Sequence, residues 1–402
     1  MTRTMKRRSL LAGTAAAGLA LPSAARAAMP AVKIGVLTDM NSVYGDYGGQ
    51  GSVDAARMAI ADAGLEKDVQ MVFADHQNKP DIGSGLVRAW FDGQGVDAMF
   101  DCPTSSVALA VNTVAAQSRK LCFFSTAIID RLNEEDCNGY GLSWTWDTYS
   151  VTRSSVLLQM HRGLDTWFII HHDYAAGYAT ANAARQVLES SGGKVLGSVA
   201  HPLGETDYSS YLLQALASKA KFVFFTAGGS DLISVLKQVK EFGLLERGQQ
   251  FGTAYTVITD VDAIGLDTMQ DLTFVTAFYW DRDERTRQFA GRFFKVRGKQ
   301  PTMFQAGVYS AVTQYLKAVQ ATGSKEAEMV RGWLRDQKVI DDVFARNARL
   351  LPNGRLIHDM LTARIKKPSQ QRYPWDYYEI LDTIPPDQAF RPIADSKCKK
   401  LF

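Results

Sequence analysis

Short β-branched apolar runs alternate with amphipathic stretches of helical period along almost the whole chain. That alternation confines it to βαβ units built around mainly parallel sheets. A first series has strands predicted over 32–38, 69–74, 98–101 and 121–125, with helices over 51–63, 85–91 and 106–117. A second series starts after Trp144-Thr145-Trp146-Asp147-Thr148. There helices over 150–162, 178–190, 208–218 and 232–242 alternate with strands over 166–171, 194–201, 222–226 and 250–255. The chain then returns toward the first series through 272–278, 286–295 and a long helix over 303–322, and ends in a hairpin over 356–366 and 375–381. Two βα series joined by repeated crossings predict an α/β fold of two lobes, hinged as a clamshell, each lobe a mainly parallel sheet flanked by helices. At 402 residues the chain also exceeds what one hydrophobic core usually serves, so two domains are expected on size alone.

Residues 1–27 read as an export signal. Lys6, Arg7 and Arg8 form a basic head, residues 10–21 a weakly apolar run, and Ala25-Arg26-Ala27 fits the small-x-small cleavage rule. The apolar run is too short to span a bilayer, which takes about 20 residues. Lys6-Arg7-Arg8-Ser9-Leu10-Leu11 is similar to a twin-arginine signal, with an ordinary secretory signal as the alternative. No Cys precedes Ala28, so no lipid anchor is expected. The full chain carries 45 basic and 42 acidic residues. Arg3, Lys6, Arg7, Arg8 and Arg26 belong to the signal, so the exported remainder turns slightly acidic. Bulk charge therefore gives no hold on nucleic acid or on an anionic membrane. The expectation is a periplasmic monomer.

The oxidising compartment permits disulfides. Cys102 and Cys122 lie in apolar, strand-like surroundings, whereas Cys137 and Cys398 lie in polar, loop-like stretches. A Cys137–Cys398 bridge is favoured, with unpaired thiols as the alternative. No C-x-x-C spacing supports a redox or zinc motif.

The chemistry-bearing motifs mostly fail in detail. Gly48-Gly49-Gln50-Gly51 opens a helix, but Asp54 stands where a dinucleotide fingerprint needs its third glycine. His171 and His172 are adjacent on a strand and point to opposite faces, and His76, His161, His201 and His358 read as isolated, so no metal site or cofactor is expected. No spacing joins a nucleophile, a base and an orienting group, so the chain is not expected to be an enzyme. Pro103-Thr104-Ser105-Ser106-Val107 is more informative, since it places hydroxyls where a strand gives way to a helix. Helix N-termini present unpaired N–H groups that suit a carboxylate; simple capping by Ser105 is the plainer reading. Aromatic residues gather at strand-to-helix corners: Tyr44, Tyr47, Trp144, Trp146, Tyr174, Phe278, Tyr279 and Trp280. Ligands of open α/β sheets sit beyond the carboxyl ends of the strands, so these rings are placed to wall a pocket.

Ile34-Gly35-Val36-Leu37-Thr38-Asp39-Met40, with the helix that follows, resembles the opening of the leucine/isoleucine/valine-binding protein family, the type I periplasmic binding proteins of ABC importers. In order along the chain, the stretch 103–111, Asp173-Tyr174-x-x-Gly177, Gly192-Gly193-Lys194-Val195, Thr206-Asp207-Tyr208, Glu241-Phe242-Gly243, Gln305-Ala306-Gly307-Val308-Tyr309 and Asp376-Tyr377-Tyr378 extend the resemblance over nearly all of residues 30–398.

The resemblance implies two lobes joined by three crossings, near 147–150, 274–277 and 340–344. Lobe I is then 28–148 plus 276–340, and lobe II is 149–275 plus 341–402. Ligand binds between the lobes, a hinge closes, and the loaded form docks on a membrane permease. Position by position, the resemblance assigns the ligand carboxylate to Ser105 and Ser106, a strand-end pair to Ala127 and Ile128, a closing ring to Tyr174, a lobe II corner to Ala227 and Gly228, and the place of an ammonium-binding acid to Thr259, with Asp260 adjacent. Tyr44, Phe278 and Trp280 complete the expected wall. Thr259 supplies no anion and Ile128 no hydrogen bond, so the expected ligand is an organic acid with an aromatic or bulky apolar body. A branched-chain or other amino acid is the alternative. A ligand-sensing receptor on the same fold and an exported enzyme are the competing classes.

Overall fold

The computed structural model describes residues 1–2, 29–226, 228–244, 247–399 and 401–402. The expected export segment lies almost wholly outside the described residues, and so does Ala227.

Nine strands carry the two main sheets. β1 (Val32–Thr38), β2 (Val69–Asp75), β3 (Ala98–Asp101), β4 (Leu121–Phe124) and β5 (Gly141–Ser143) form a parallel sheet in the order β2-β1-β3-β4-β5. β6 (Thr166–His172), β7 (Lys194–His201), β8 (Phe222–Phe225) and β9 (Gln250–Thr253) form a second parallel sheet in the order β7-β6-β8-β9. β3, β4 and β8 are buried throughout, as their Phe-rich apolar runs require of a sheet covered on both faces. The three-residue β5 was too short to leave a periodic signal.

The helices supply that cover. Met303–Thr322 is the longest among the described residues, and its entry is fixed by a reciprocal cap: Thr302 Oγ1 accepts from Gln305 N at 3.3 Å while Gln305 Oε1 accepts from Thr302 N at 3.0 Å. It packs on Gly49–Asp62 so closely that a Cβ at Gly51 would stand 2.2 Å from Gln305 Nε2. The glycine run that looked like a phosphate loop is a helix-packing device. The second helix begins earlier than its apolar period indicates, at Pro80, because proline suits the first helical turn. Helices Ile258–Ile264, Leu266–Met269 and Ala327–Asp336 were not foreseen.

The chain crosses between the lobes three times. Asp147 caps helix Thr148–His161 at the first crossing, accepting from Ser150 N at 2.7 Å. β10 (Thr273–Thr276) leads to the second. The third falls at 357–360 rather than 340–344. Ile340 bridges to Ala348, β11 (Arg349–Leu350) pairs with β12 (Leu356–Ile357), and Arg355 lies against Ser143 of β5, which keeps 341–357 beside the first sheet. β13 (Met360–Ile365) then joins the second lobe, antiparallel to both β10 and β14 (Tyr378–Ile384). The predicted hairpin is therefore β13–β14, with β12 split off from it. The crossings are laced together: Thr145 O accepts from Arg355 and from His358, the latter at 3.0 Å, and Arg355 Nε lies 3.2 Å from Asp147 Oδ2. After β14 the tail turns back to the first lobe, where Cys398 is bonded to Cys137 with Cα atoms 5.6 Å apart. Residues 341–402 are thus shared between lobes. Among the described residues, no helix is long and apolar enough to cross a membrane.

Candidate functional site

The carboxyl ends of both parallel sheets face one cleft. Tyr44, Tyr47, Thr104, Ser105, Thr126, Ile128 and Phe304 enter it from the first lobe, Tyr174 and Tyr255 from the second.

The loop after β1 is shaped by Asp39. Its carboxylate accepts from Ser42 N at 2.9 Å, Ser42 Oγ at 2.5 Å and Tyr44 N at 3.1 Å. It also accepts from Asn78 Nδ2 at 3.2 Å, and Asn78 Oδ1 in turn accepts from Thr104 Oγ1. One network thereby fixes Tyr44 and the hydroxyl turn together. The turn itself is strained, since Asp101, Cys102 and Thr104 all have positive φ, at 83°, 73° and 73°. Such backbone is uncommon for residues other than glycine and collects at binding sites. The helix that follows starts at Ser105, with Thr104 in the cap position and no side chain bonded to its first N–H groups. Ser105 is therefore not the cap; it is buried at the cleft floor, while Ser106, half-buried, does not line the pocket.

Contacts across the cleft come from tyrosines. Tyr44 Oη and Tyr174 Oη are 2.7 Å apart. Tyr47 Oη lies 3.1 Å from Tyr255 O and 3.0 Å from Asp260 Oδ2, to which it donates, and accepts from Gly229 N at 2.7 Å. A Cβ at Gly228 would stand 2.2 Å from Tyr47 Oη, so that corner tolerates glycine alone at this approach. Burial, then the neighbouring Tyr174, holds the Tyr44 phenol well above its ordinary range. Burial pushes Tyr174 up to about 12. Both rings therefore stay neutral near pH 7.

Of the residues expected from the sequence, Tyr44, Ser105, Ile128 and Tyr174 meet in the pocket, and Gly228 stands directly behind Tyr47. Ala127 is buried under β4 in the core with Phe124 and Ile129. Phe278 and Trp280 line a separate small cavity with Thr276, Tyr279 and Tyr378, and Trp280 Nε1 donates to Trp375 O at 3.0 Å. These two rings follow β10, whose partner β13 is antiparallel, so the strand-end rule does not carry them to the cleft. Thr259 is buried outside the pocket with its hydroxyl unpaired. Asp260 is engaged, accepting Val257 N at 3.0 Å as well as Tyr47.

Thr126 and Tyr255 were missed although each stands just past a parallel strand, where the rule that found Tyr174 would have found them. Phe304 sits on the first turn of a helix, beyond that rule. The histidines were also misjudged. β6 and β7 pair with His172 directly opposite His201, so two residues remote in sequence share a face.

A two-lobed α/β chain whose parallel strand ends converge on one enclosed, hydroxyl-lined cleft defines a clamshell solute-binding protein of type I. The sequence matches the periplasmic binding protein family over residues 31–371, and the chain belongs to that family, in its Leu/Ile/Val-binding branch. It is similar to a Leu/Ile/Val-binding protein homologue of Brucella melitensis, 23% identical over 304 residues that make up 73% of this chain and 77% of the relative. A periplasmic binding protein from Burkholderia mallei shares 40% identity at a TM-score of 0.88, covering 92% of this chain and 98% of that one. A branched-chain amino acid ABC transporter periplasmic ligand-binding protein from Burkholderia xenovorans shares 44% identity at a TM-score of 0.84, covering 92% and 99%. These relatives are binding proteins rather than enzymes.

Proposed function

We propose that the chain is the periplasmic receptor of an ABC-type importer, capturing a small aromatic carboxylic acid between its lobes and delivering it to the membrane permease as a monomer. One observation carries the ligand class. Of the nine described residues lining the cleft, seven bear hydroxyls, two are apolar, and none carries a charge. Hydroxyls and the open N-terminus of helix Ser105–Ser118 suit a carboxylate. Tyr44, Tyr174, Tyr255 and Phe304 suit a flat apolar body, and aromatic pairs add about 0.5–1.5 kcal/mol beyond burial. A buried ammonium needs a paired anion, and Asp260 is turned away to Tyr47 and the Val257 amide. A solute-binding protein of this fold from Rhodopseudomonas palustris, 18% identical, is solved with 4-hydroxybenzoate, so the fold accommodates such an acid.

In this reading lobe I is 28–148 with 276–357, lobe II is 149–275 with the β13–β14 hairpin, and the disulfide ties the tail back to lobe I. The ligand touches both lobes only when they are closed, so it shifts the population toward the closed form. A branched-chain amino acid is the second reading, favoured by the 44% identical relative, a branched-chain amino acid ABC transporter ligand-binding protein. Calorimetry with benzoate- and cinnamate-type acids beside leucine, valine and phenylalanine decides between them. Saturable binding of the aromatic acids alone is expected. Tight binding of a free amino acid, lost in Asp260→Asn, overturns the proposal in favour of the second reading.

A further inference from the structure

His172 and His201 face each other across the β6–β7 ladder with ring centroids 4.7 Å apart. Asp231, in the first turn of helix Ser230–Glu241, reaches the same spot, its Oδ2 2.7 Å from His172 Nε2 and accepting from Gly204 N at 3.0 Å. One potential ligand atom from each of the three side chains lies within 4.8 Å of the others. All three are essentially inaccessible, at 1%, 0% and 1% exposure. Yet each keeps a buried polar atom with no partner: His172 Nδ1, His201 Nε2 and Asp231 Oδ1. Buried polar atoms are normally paired, and leaving one unpaired costs about 1–3 kcal/mol. Two of them, His201 Nε2 and Asp231 Oδ1, are lone-pair atoms that a cation would satisfy, and their coincidence in one cluster is something packing alone does not account for.

The tautomers point the same way. His201 Nδ1 lies 2.8 Å from Pro202 O. A carbonyl only accepts, so Nδ1 carries the proton and Nε2 presents a bare lone pair. A backbone carbonyl holding one ring nitrogen is the usual outer support of a metal-bound imidazole.

We propose that His172, His201 and Asp231 bind a borderline divalent transition cation of the Zn²⁺ kind. Two imidazoles and a carboxylate match its ligand preference, with a solvent oxygen completing four-coordination. Where the cation takes His172 Nε2, the ring proton shared with Asp231 moves to the bare Nδ1, so the imidazole stays neutral. The site is separate from the ligand pocket but touches its wall, since the His172 ring stacks obliquely on Tyr174 at 5.1 Å. A bound cation therefore braces the second lobe's side of the cleft.

The test uses the whole exported chain, stripped with chelator and titrated with Zn²⁺ by calorimetry and with Co²⁺ by visible absorption. One equivalent should bind, with a rise in the thermal midpoint. His201→Asn and Asp231→Asn should each weaken binding about tenfold or more, while His76→Asn, remote from the cluster, leaves it unchanged. Zinc-edge anomalous scattering from a crystal of the unmutated protein soaked in Zn²⁺ should place a peak among the three side chains, which needs no variant to fold. The absence of a peak there, or unaltered Zn²⁺ affinity in folded His201→Asn and Asp231→Asn, overturns the proposal.

Discussion

Tyr44 Oη and Tyr174 Oη stand 2.7 Å apart, the first carried by the loop after β1 and the second by the corner after β6. They belong to opposite lobes, so this hydrogen bond exists only while the cleft is closed. Its two oxygens face the same pocket that holds Ser105 and Ile128.

Replacing either phenol by phenylalanine removes the bond and leaves the other hydroxyl buried. A typical buried hydrogen bond contributes about 0.5–1.5 kcal/mol net. Tyr44→Phe and Tyr174→Phe should each weaken ligand binding roughly 2- to 10-fold, and the double variant by less than the product of the two. Calorimetry on the four proteins checks this; strict additivity would show that the two rings act independently.

Gly228 gives a second handle on closure. A Cβ there would stand 2.2 Å from Tyr47 Oη, which the Gly229 amide already holds at 2.7 Å. Overpacking of this kind costs about 1–3 kcal/mol, and here the cost falls on the closed form alone. Gly228→Ala should lower ligand affinity by roughly 5- to 150-fold while leaving the thermal midpoint of the ligand-free protein nearly unchanged. Solution scattering at saturating ligand should show a larger radius of gyration than the unmutated protein.

Much of this was legible from residue pattern. β4 is short and wholly apolar, and β1 and β3 are predominantly so, as a parallel sheet buried on both faces demands of its strands. The same logic put Tyr44, Ser105 and Tyr174 at strand ends and hence in the cleft, whereas Ile128 came from the family resemblance alone. It failed at Phe278 and Trp280 because the direction of a strand is a tertiary fact: β10 lies antiparallel to β13. It failed at His201 because register is one too. His172 and His201 meet only once β6 and β7 have paired with a shift between Trp167 and Phe168, and no local pattern announces that shift. The third crossing moved to 357–360 for a similar reason, since Arg355 is held at β5 by Ser143 and Asp147.

The Cys137–Cys398 bridge spans 261 residues of sequence. Constraining so long a loop in the unfolded chain contributes about 5–6 kcal/mol in the chain-entropy account. Cys398→Ser should lower the thermal midpoint without altering ligand affinity, because the bridge lies away from the cleft. Non-reducing peptide mapping should recover a Cys137–Cys398 peptide and unmodified Cys102 and Cys122, both buried with thiols held well above their ordinary range by that burial. Free thiols at 137 and 398 in protein purified from the periplasm refute the pairing.

Asp260 sets the expected pH dependence. Burial pushes its carboxyl up to about 8, against the opposing hydrogen bonds from the Val257 amide and the Tyr47 hydroxyl. In the unfolded chain the same group titrates near 3.9. Between these values the folded state keeps a proton that the unfolded state has released, so stability falls as pH rises across the window from about 4 to about 8. The slope from this one group is at most about 1.4 kcal/mol per pH unit. Above the folded value both states are ionised and the contribution is flat. Asp101, pushed up to about 6 by burial, adds a drift of the same sign that ends sooner. Asp260→Asn keeps an acceptor for the Val257 amide but cannot ionise. Its thermal midpoint, relative to the unmutated protein, should therefore climb from about pH 5 to about pH 8 and level off above it. A gap independent of pH shows that Asp260 is ionised in the fold. An ionised Asp260 is also what an ammonium ligand requires, so the same titration repeated with leucine and with a benzoate-type acid separates the two ligand classes: only the amino acid should reverse the trend.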